Sequence, residues 1–268
     1  MRRHLWIWQL GLLIAIFALW QVATDPELIP PFVWPDNASR AAFFFGEPTK
    51  IFKVIWEWFA GGSIYKHLWV TLQETALAFL IGAALGLAVG LWLGLSSTAS
   101  ALLDPYITAL NAMPRVVLAP IFMVWFGLGI WSKVALGVTL VFFIVFFNVY
   151  QGVKEVSPVV LNNAVMLGAN RKQLLRHVYL PSATSWLFSS LHTSVGMAFV
   201  GAVVGEYLGS ASGVGYLIQQ AEGAFDINTV FAGILVLTAF ALVVDFVVGR
   251  AERRLLVWRP TRSETIEL

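Results

Sequence analysis

The chain contains no cysteine among its 268 residues, and charged side chains make up only 12% of it. Without cysteine, a disulfide scaffold, a thiolate metal site and a cysteine nucleophile are all excluded. A soluble domain is about 25% charged, so this chain has too few charges to cover a surface in water. Hydrophobic residues account for 59% of the sequence, and the mean hydropathy is +0.78. We therefore expect much of the surface to face lipid.

Signatures of catalysis are also missing. The histidines are scattered through the sequence and form no HExxH-type pair. There is no GxxxxGK[ST] loop, which excludes nucleotide binding of the P-loop kind. Two Gly-x-Gly segments, at 127–129 and 213–215, do not extend to a dinucleotide fingerprint and are interpreted as turns. We expect a protein that is not an enzyme, with no catalytic residues, cofactor, metal ion or nucleic-acid partner.

Long apolar runs are frequent, and about 20 apolar residues span the hydrocarbon core as a helix. The sequence predicts an all-α membrane protein with about six transmembrane helices in a single domain, residues 1–268. The predicted spans are residues 5–22, 69–95, 101–127, 134–150, 183–207 and 230–248. A cleaved signal peptide is the alternative for the first run, but its length favours a retained helix.

Three prolines, Pro105, Pro114 and Pro120, interrupt the third predicted span. Proline removes a helix hydrogen bond, and a membrane span tolerates this only where neighbouring protein or a cavity satisfies the freed carbonyl groups. We therefore expect the third span to be broken at these residues.

The distribution of positive charge predicts the orientation. Six spans place both termini on one side of the membrane, together with residues 151–180. That side carries 11 of the lysines and arginines, and the opposite side carries the five residues Arg40, Lys50, Lys53, Lys66 and Lys133. The positive-inside rule then places both termini and this loop in the cytosol.

Four glycines, Gly82, Gly86, Gly90 and Gly94, recur every four residues in the second predicted span. Residues four apart lie on one face of a helix, and glycine there lets another backbone approach closely. A glycine-rich, poorly packed helix is the alternative. The three successive four-residue steps favour close helix packing.

Charged side chains inside spans are costly and usually face protein or water. Arg115, Glu206 and Glu74 are candidates for lining a solute pathway. The alternatives are an interfacial position for the two glutamates and an internal ion pair for Arg115. Asp104 and Asp245 lie near the cytosolic ends of their spans, where an interfacial position or pairing with a basic neighbour is the competing interpretation.

The segment between the fourth and fifth spans, residues 152–181, has the most informative spacing. Its apolar Val160, Ala164 and Leu167 recur as on a helix, and Gly168 then permits a turn with positive φ. A second short helix follows, and Pro181 comes after it. The segment is either a linker lying on the membrane or a docking element for a soluble partner, and the spacing alone leaves both interpretations open.

The motif in this segment reads Asn162-Asn163-Ala164, then Gly168, then Val178, and closes with Leu180-Pro181. It resembles the EAA loop of binding-protein-dependent ABC permeases, Glu-Ala-Ala-x3-Gly-x9-Ile-x-Leu-Pro, with asparagine in place of the acidic residue and of the first alanine. The resemblance implies a cytosolic coupling helix between spans four and five. The ATPase-docking residues that it implies are Asn162, Asn163, Ala164, Leu167, Gly168, Arg171 and Pro181.

Further segments extend the resemblance over most of the chain. Residues 113–120, 125–129 and 213–217, with Glu206, are similar to the subgroup that serves sulfonates, taurine and nitrate. The resemblance implies a type I ABC importer permease fold and ATP-driven import of a small solute of that kind. A vitamin precursor or aromatic solute is the alternative, and an ATPase-independent channel or carrier is a second.

The same resemblance implies the partners and the location of the chain. The expected partners are two ATP-binding subunits, a second permease copy forming a homodimer, and a soluble periplasmic or lipid-anchored solute-binding protein. ATP hydrolysis then belongs to the separate ATPase subunits. The expected location is a bacterial inner (cytoplasmic) membrane, which the chain crosses several times with both termini in the cytosol.

Overall fold

The computed structural model describes residues 5–25 and 38–255, which form helices and connecting turns without any β-strand. The first helices are α1 (Leu5–Thr24), α2 (Ala38–Phe45), α3 (Pro48–Ala60), α4 (Ser63–Leu95), α5 (Ser97–Ala112), α6 (Ala119–Phe126) and α7 (Ile130–Lys154). The remaining helices are α8 (Pro158–Met166), α9 (Arg171–Leu174), α10 (Leu180–Ser189), α11 (Leu191–Leu208), α12 (Val214–Gly223) and α13 (Ile227–Leu255). A 3₁₀ turn, Arg115–Leu118, precedes α6, and a π-helical turn, Leu175–Tyr179, joins α9 to α10.

Five helices of the described residues are long and apolar enough to cross a membrane, namely Ile7–Thr24, Ser63–Leu95, Ile130–Lys154, Leu191–Leu208 and Ile227–Arg250. A sixth candidate is the pair Ser97–Ala112 and Arg115–Phe126, whose two parts meet at an angle of 86°. The prediction of an all-α membrane protein with about six spans is therefore confirmed. Of the charges used to predict the orientation, Arg2, Arg3, Arg259 and Arg262 lie outside the described residues.

The third span is broken at one proline of the three. Pro105 lies inside α5 without ending it. Met113 and Pro114 are extended, with ψ angles of 134° and 99°, so the helix stops there. Pro120 falls in the first turn of α6, where its missing N–H costs no helix hydrogen bond. The expectation of breaks at Pro105 and Pro120 is therefore wrong.

The region after residue 170 also differs from the prediction. The helix that begins at Arg171 does not end before Pro181, because the π-helical turn leads directly into α10 and Pro181 occupies its first turn. The predicted fifth span, 183–207, is divided at Ser190 into α10 and α11. The expectation that Pro181 follows the end of a short helix is therefore wrong, because the backbone stays helical from Arg171 through the π-helical turn into α10.

The described residues divide into two compact units. One comprises residues 5–25, 38–69 and 206–239, and the other comprises residues 70–205 and 240–255. In the first unit, Ile51 of α3 is fully buried, and the ring of Trp20 meets that of Phe231 edge-on with centroids 5.2 Å apart. The Glu47 N–H donates to Asn228 Oδ1 at 2.8 Å, which fixes the start of α3 against the start of α13.

The core of the second unit lies along α4 and α7. Each of the four glycines of α4 faces one valine of α7, in the order Gly82–Val141, Gly86–Val145, Gly90–Val149 and Gly94–Val153. A Cβ built on any of these glycines would lie 2.7–2.9 Å from the Cβ of its valine. From one pair to the next, the residue number increases by four in both helices, so α4 and α7 run in the same direction. Two spans that run in the same direction require a crossing between them, and the broken span lies there in the sequence.

Candidate functional site

Residues 155–180 form a compact helical knob between α7 and α10. Helix α8 ends in a Schellman turn, in which the Ala169 N–H donates to Ala164 O at 3.0 Å and the Gly168 N–H donates to Val165 O at 2.9 Å. Gly168 has a φ of +82°, a conformation that costs glycine little because it has no Cβ. The turn ends α8 and redirects the chain, so that α9 begins three residues later.

Helix α9 begins with a reciprocal cap. Asn170 Oδ1 accepts from the Gln173 N–H at 2.9 Å, and Gln173 Oε1 accepts from the Asn170 N–H at 2.8 Å. At the far end of the knob, Ser182 Oγ donates to Gly152 O at 2.7 Å and ties α10 to the end of α7. This hydrogen bond holds the two ends of the knob beside each other.

The outer surface of the knob is apolar and basic. Leu167 and Met166 are 89% and 85% exposed, although hydrophobic side chains of this size are usually buried. A shallow groove of about 270 Å³ runs between α8 and α9, lined in part by Leu167 and Gln173. Glu155 is the only acidic residue of the sequence from 152 to 181. The same segment holds five basic residues between positions 154 and 177, counting lysine, arginine and histidine together. The arrangement can bind a partner with an apolar pocket.

Six of the seven predicted docking residues lie on this knob, and Pro181 follows it in the first turn of α10. Ala164 is half-buried, and the other six are exposed, namely Asn162, Asn163, Leu167, Gly168, Arg171 and Pro181. The two asparagines that replace the usual Glu-Ala pair both lie on α8.

Arg115 lies at the break in the third span. Its Nη2 donates to Asn111 O at 3.0 Å and also to Asn111 Oδ1. Its guanidinium lies 4.7 Å from the centroid of the Phe143 ring on α7, a cation–π distance. In an unbroken helix, Asn111 O would accept from the backbone N–H of residue 115. The side chain of Arg115 therefore satisfies the carbonyl group that its own backbone would otherwise have satisfied.

The two candidate glutamates are buried. Glu74 is 1% exposed and Glu206 is fully covered. Glu206 Oε2 accepts from the Gly215 N–H at 2.7 Å, which places a carboxylate at the positive end of α12. Gly213, with a φ of +105°, approaches this carboxylate so closely that a Cβ there would overlap it. Glu206 therefore holds the start of α12 in place.

Lys133 is a residue whose burial the sequence analysis missed, because it was treated only as one of the charges on the side opposite the termini. The structure places Lys133 in the first turn of α7, where it is fully buried. Its Nζ donates to the carbonyl groups of Leu128 and Gly129, at 2.6 and 3.1 Å. Its side chain packs into the notch at Gly205, where an added Cβ would lie 2.8 Å from Lys133 Cγ. The available signal was a lysine four residues after a Gly-x-Gly turn, at the start of an apolar span.

Comparison with solved structures shows the class of fold. The chain is similar to a chain of the MetNI methionine ABC transporter in its inward facing conformations, with a TM-score of 0.62 at 17% sequence identity. The match covers 71% of this chain and 95% of the other. The fold is therefore that of the membrane-spanning permease of an ABC importer, as the resemblance implied.

Comparison of sequences shows the family. Residues 82–257 match the family described as binding-protein-dependent transport system inner membrane component, and the chain belongs to this family. SsuC of Bacillus subtilis (strain 168), named for aliphatic sulfonates transport, is 34% identical over 94% of this chain and 88% of its own length. ThiX of Halalkalibacterium halodurans, named for formylaminopyrimidine transport, is 32% identical over 73% of this chain and 78% of its own length. The family resemblance is thereby confirmed, and the two relatives are named for chemically different solutes.

Proposed function

We propose that this chain is the permease subunit of an ATP-driven, binding-protein-dependent importer, with an aliphatic sulfonate as the first candidate solute. The observation that carries the proposal is the helical knob between α7 and α10, with its Schellman turn at Gly168 and its exposed Leu167. Similarity to SsuC favours a sulfonate, and similarity to ThiX supports a pyrimidine vitamin precursor as the second candidate. The chain crosses the inner membrane several times, with both termini and the knob in the cytosol.

The knob docks an ATPase subunit in this proposal. Exposed apolar side chains that cluster on a protein surface mark an interaction site, and the knob presents Met166 and Leu167 at its tip. ATP binding closes the paired ATPase subunits and draws two knobs together. Because the knob continues into α7 and α10, whose adjoining ends are joined by Ser182 and Gly152, its movement is passed to both helices. A solute-binding protein delivers the solute on the opposite face of the membrane.

A second copy of the chain completes the permease. Helix α5 buries none of its residues within the chain, which fits a span that meets another copy or an aqueous space. Of the three charged pathway candidates, Arg115 is the one that lies on this exposed span. The burial of Glu74 and Glu206 supports a role for them in holding the helices around the pathway.

Replacement of Gly168 by valine tests the docking role. A β-branched residue at a φ of +82° strains the turn that orders the knob, so we expect loss of ATPase co-purification and of ATP-dependent uptake. Gly62→Val is the matched control, because Gly62 also has a positive φ, +75°, and open surroundings but lies between α3 and α4. Normal co-purification and uptake in the Gly168→Val variant would contradict the docking role.

The transport class and the solute need separate measurements. Uptake into proteoliposomes should stop when the ATPase subunit carries an inactivating substitution, and persistent uptake would favour a channel or carrier. A thermal-shift screen of the binding protein against aliphatic sulfonates, taurine, nitrate and pyrimidines should identify the solute. A stabilising pyrimidine and no stabilising sulfonate would replace the first candidate by the second.

A further inference from the structure

Four exposed polar side chains of α5 fall along one line, whereas Thr98 lies outside it. At about 100° per residue, Ser97, Asp104, Thr108 and Asn111 lie within an arc of roughly 60°. All four are exposed, and together they are called the polar stripe below. The stripe runs the length of a helix that is part of a candidate membrane span.

The opposite side of α5 is suited to lipid. Leu102, Tyr106 and Leu110 are 68%, 65% and 53% exposed and point away from the polar stripe. At the edge of the stripe, about 20° from Asn111, Ser100 Oγ and the hydroxyl group of Tyr150 on α7 are 2.6 Å apart, which fixes the side of α5 that faces the chain. Helix α5 thus presents two exposed surfaces of opposite chemistry, and lipid matches only the apolar one.

The stripe leads to the break in the span. Helix α5 has 16 residues, so it rises about 24 Å, whereas the hydrocarbon core is about 30 Å thick. A helix that starts at one membrane surface therefore ends inside the membrane. Beyond its end, Met113, Val116 and Val117 are 37%, 49% and 67% exposed. Irregular backbone at membrane depth occurs only where protein or a water-filled cavity satisfies its polar groups.

Arg115 has N–H donors at this break that no described residue uses. Its Nη2 is used by Asn111, but its Nε lies buried without an acceptor among the described residues. A guanidinium has five N–H donors and no acceptor, so the remaining donors match water or an acceptor oxygen of a solute. The break therefore combines an interruption of the helix hydrogen bonds with a cation whose donors are only partly used.

We infer that the polar stripe of α5 and the break at Pro114 form one wall of a water-filled solute pathway. The solute that it takes is a small hydrophilic molecule with an acceptor oxygen, which meets Arg115 and Asn111 at the break. This inference rests on the proposed permease function. It adds Asp104, Thr108 and Asn111 to the pathway, and it assigns the apolar side of the same helix to lipid.

The sequence allows a direct test because the chain has no native cysteine. Thr108→Cys lies on the stripe, and Leu110→Cys is its control, two residues away at nearly the same depth and also exposed in the chain. A second pair is Asp104→Cys with Leu102→Cys as its control. Each variant is assembled with its ATPase in proteoliposomes and treated with a charged, membrane-impermeant methanethiosulfonate. The cysteine thiolate attacks the reagent's sulfur, forms a mixed disulfide and releases methanesulfinate, and the thiolate forms in water but is suppressed in lipid.

We expect the stripe cysteines to react at least about tenfold faster than their controls, because only they are ionised in water. Equal rates within both pairs would overturn the inference. Spontaneous or catalysed disulfide formation between two Thr108→Cys copies, without reaction with the reagent, would also overturn it and would place the stripe in a dry interface. The second pair keeps the test valid if Thr108→Cys does not assemble.

The labelling result and the proposed function can fail independently. Labelling requires no knowledge of the solute and no turnover of ATP. If uptake continues without the ATPase but the stripe still reacts faster than its controls, only the proposed ATP-driven function fails. If uptake requires the ATPase and the two sides of α5 react equally, only the pathway inference fails.

Discussion

Replacement of Gly86 by alanine tests the packing of α4 against α7. A Cβ at this position would lie 2.8 Å from Phe142 O, 2.8 Å from Val145 Cβ and 3.0 Å from Phe146 N. Two of these three atoms belong to the backbone of α7, so no change of side-chain rotamer can relieve the contact. The helices must move apart or the backbone of α7 must bend.

The expected loss of stability follows from two opposing terms. Alanine favours a helix over glycine by about 0.8–1.0 kcal/mol. Overpacking in a filled interior costs about 1–3 kcal/mol, and contact with fixed backbone atoms places Gly86 toward the upper end of that range. We therefore expect a net loss of about 1–2 kcal/mol in the free energy of unfolding.

Gly11→Ala isolates the packing term from the helix term. Gly11 lies in the apolar helix α1 and has no atom within 4 Å of a built Cβ, so alanine there should be neutral or slightly stabilising. Equilibrium unfolding in mixed detergent micelles, followed by helical circular dichroism, measures both variants against the parent chain. The difference between the two variants should be about 1–3 kcal/mol. A Gly86→Ala protein as stable as the Gly11→Ala protein would refute the reasoning.

Three further substitutions test individual contacts. Gly213→Ala places a methyl group on the Glu206 carboxylate at a φ of +105°, so we expect a sharply lower yield of folded protein. Gly127→Ala is the control and should be tolerated better, because Gly127 has a positive φ but open surroundings. Lys133→Met leaves two carbonyl groups without their ammonium donor and should cost about 1–3 kcal/mol in the same unfolding assay; unchanged stability would contradict this. Asn170→Ala removes the cap of α9, worth about 1 kcal/mol, and should speed amide exchange in α9 but not in α11.

The number and the apolar character of the spans could be predicted from the sequence because each span must satisfy its own backbone in lipid. The sequence contains three prolines in the third span, and it did not indicate which of them breaks the helix. A proline ends a helix only where it would fall in the helix interior and the surrounding protein lets the backbone leave the helical conformation. Pro120 avoids this by lying in a first turn, whereas Pro105 is accommodated within α5.

The knob was predictable in outline because its geometry is local. The turn at Gly168 and the cap at Asn170 are set by residues within five positions of each other. The environments of Glu206 and Lys133 were not predictable, because neighbours that the sequence does not place beside them decide their burial. Glu206 meets the first turn of α12 across an intervening loop, and Lys133 packs against Gly205, which is distant in sequence.

The pairing of α4 with α7 sets an order of assembly during synthesis. Gly94 leaves the ribosome about 60 residues before its partner Val153, which corresponds to roughly 3–12 s at ~5–20 residues per second. During that interval α4 resides in the membrane with its four glycine notches open to lipid. The broken span must also enter before α7 can align with α4 in the same direction. A nascent chain arrested between these two helices therefore exposes the glycine face of α4, to which another helix with small residues could bind. In the complete chain, the valines of α7 cover this face.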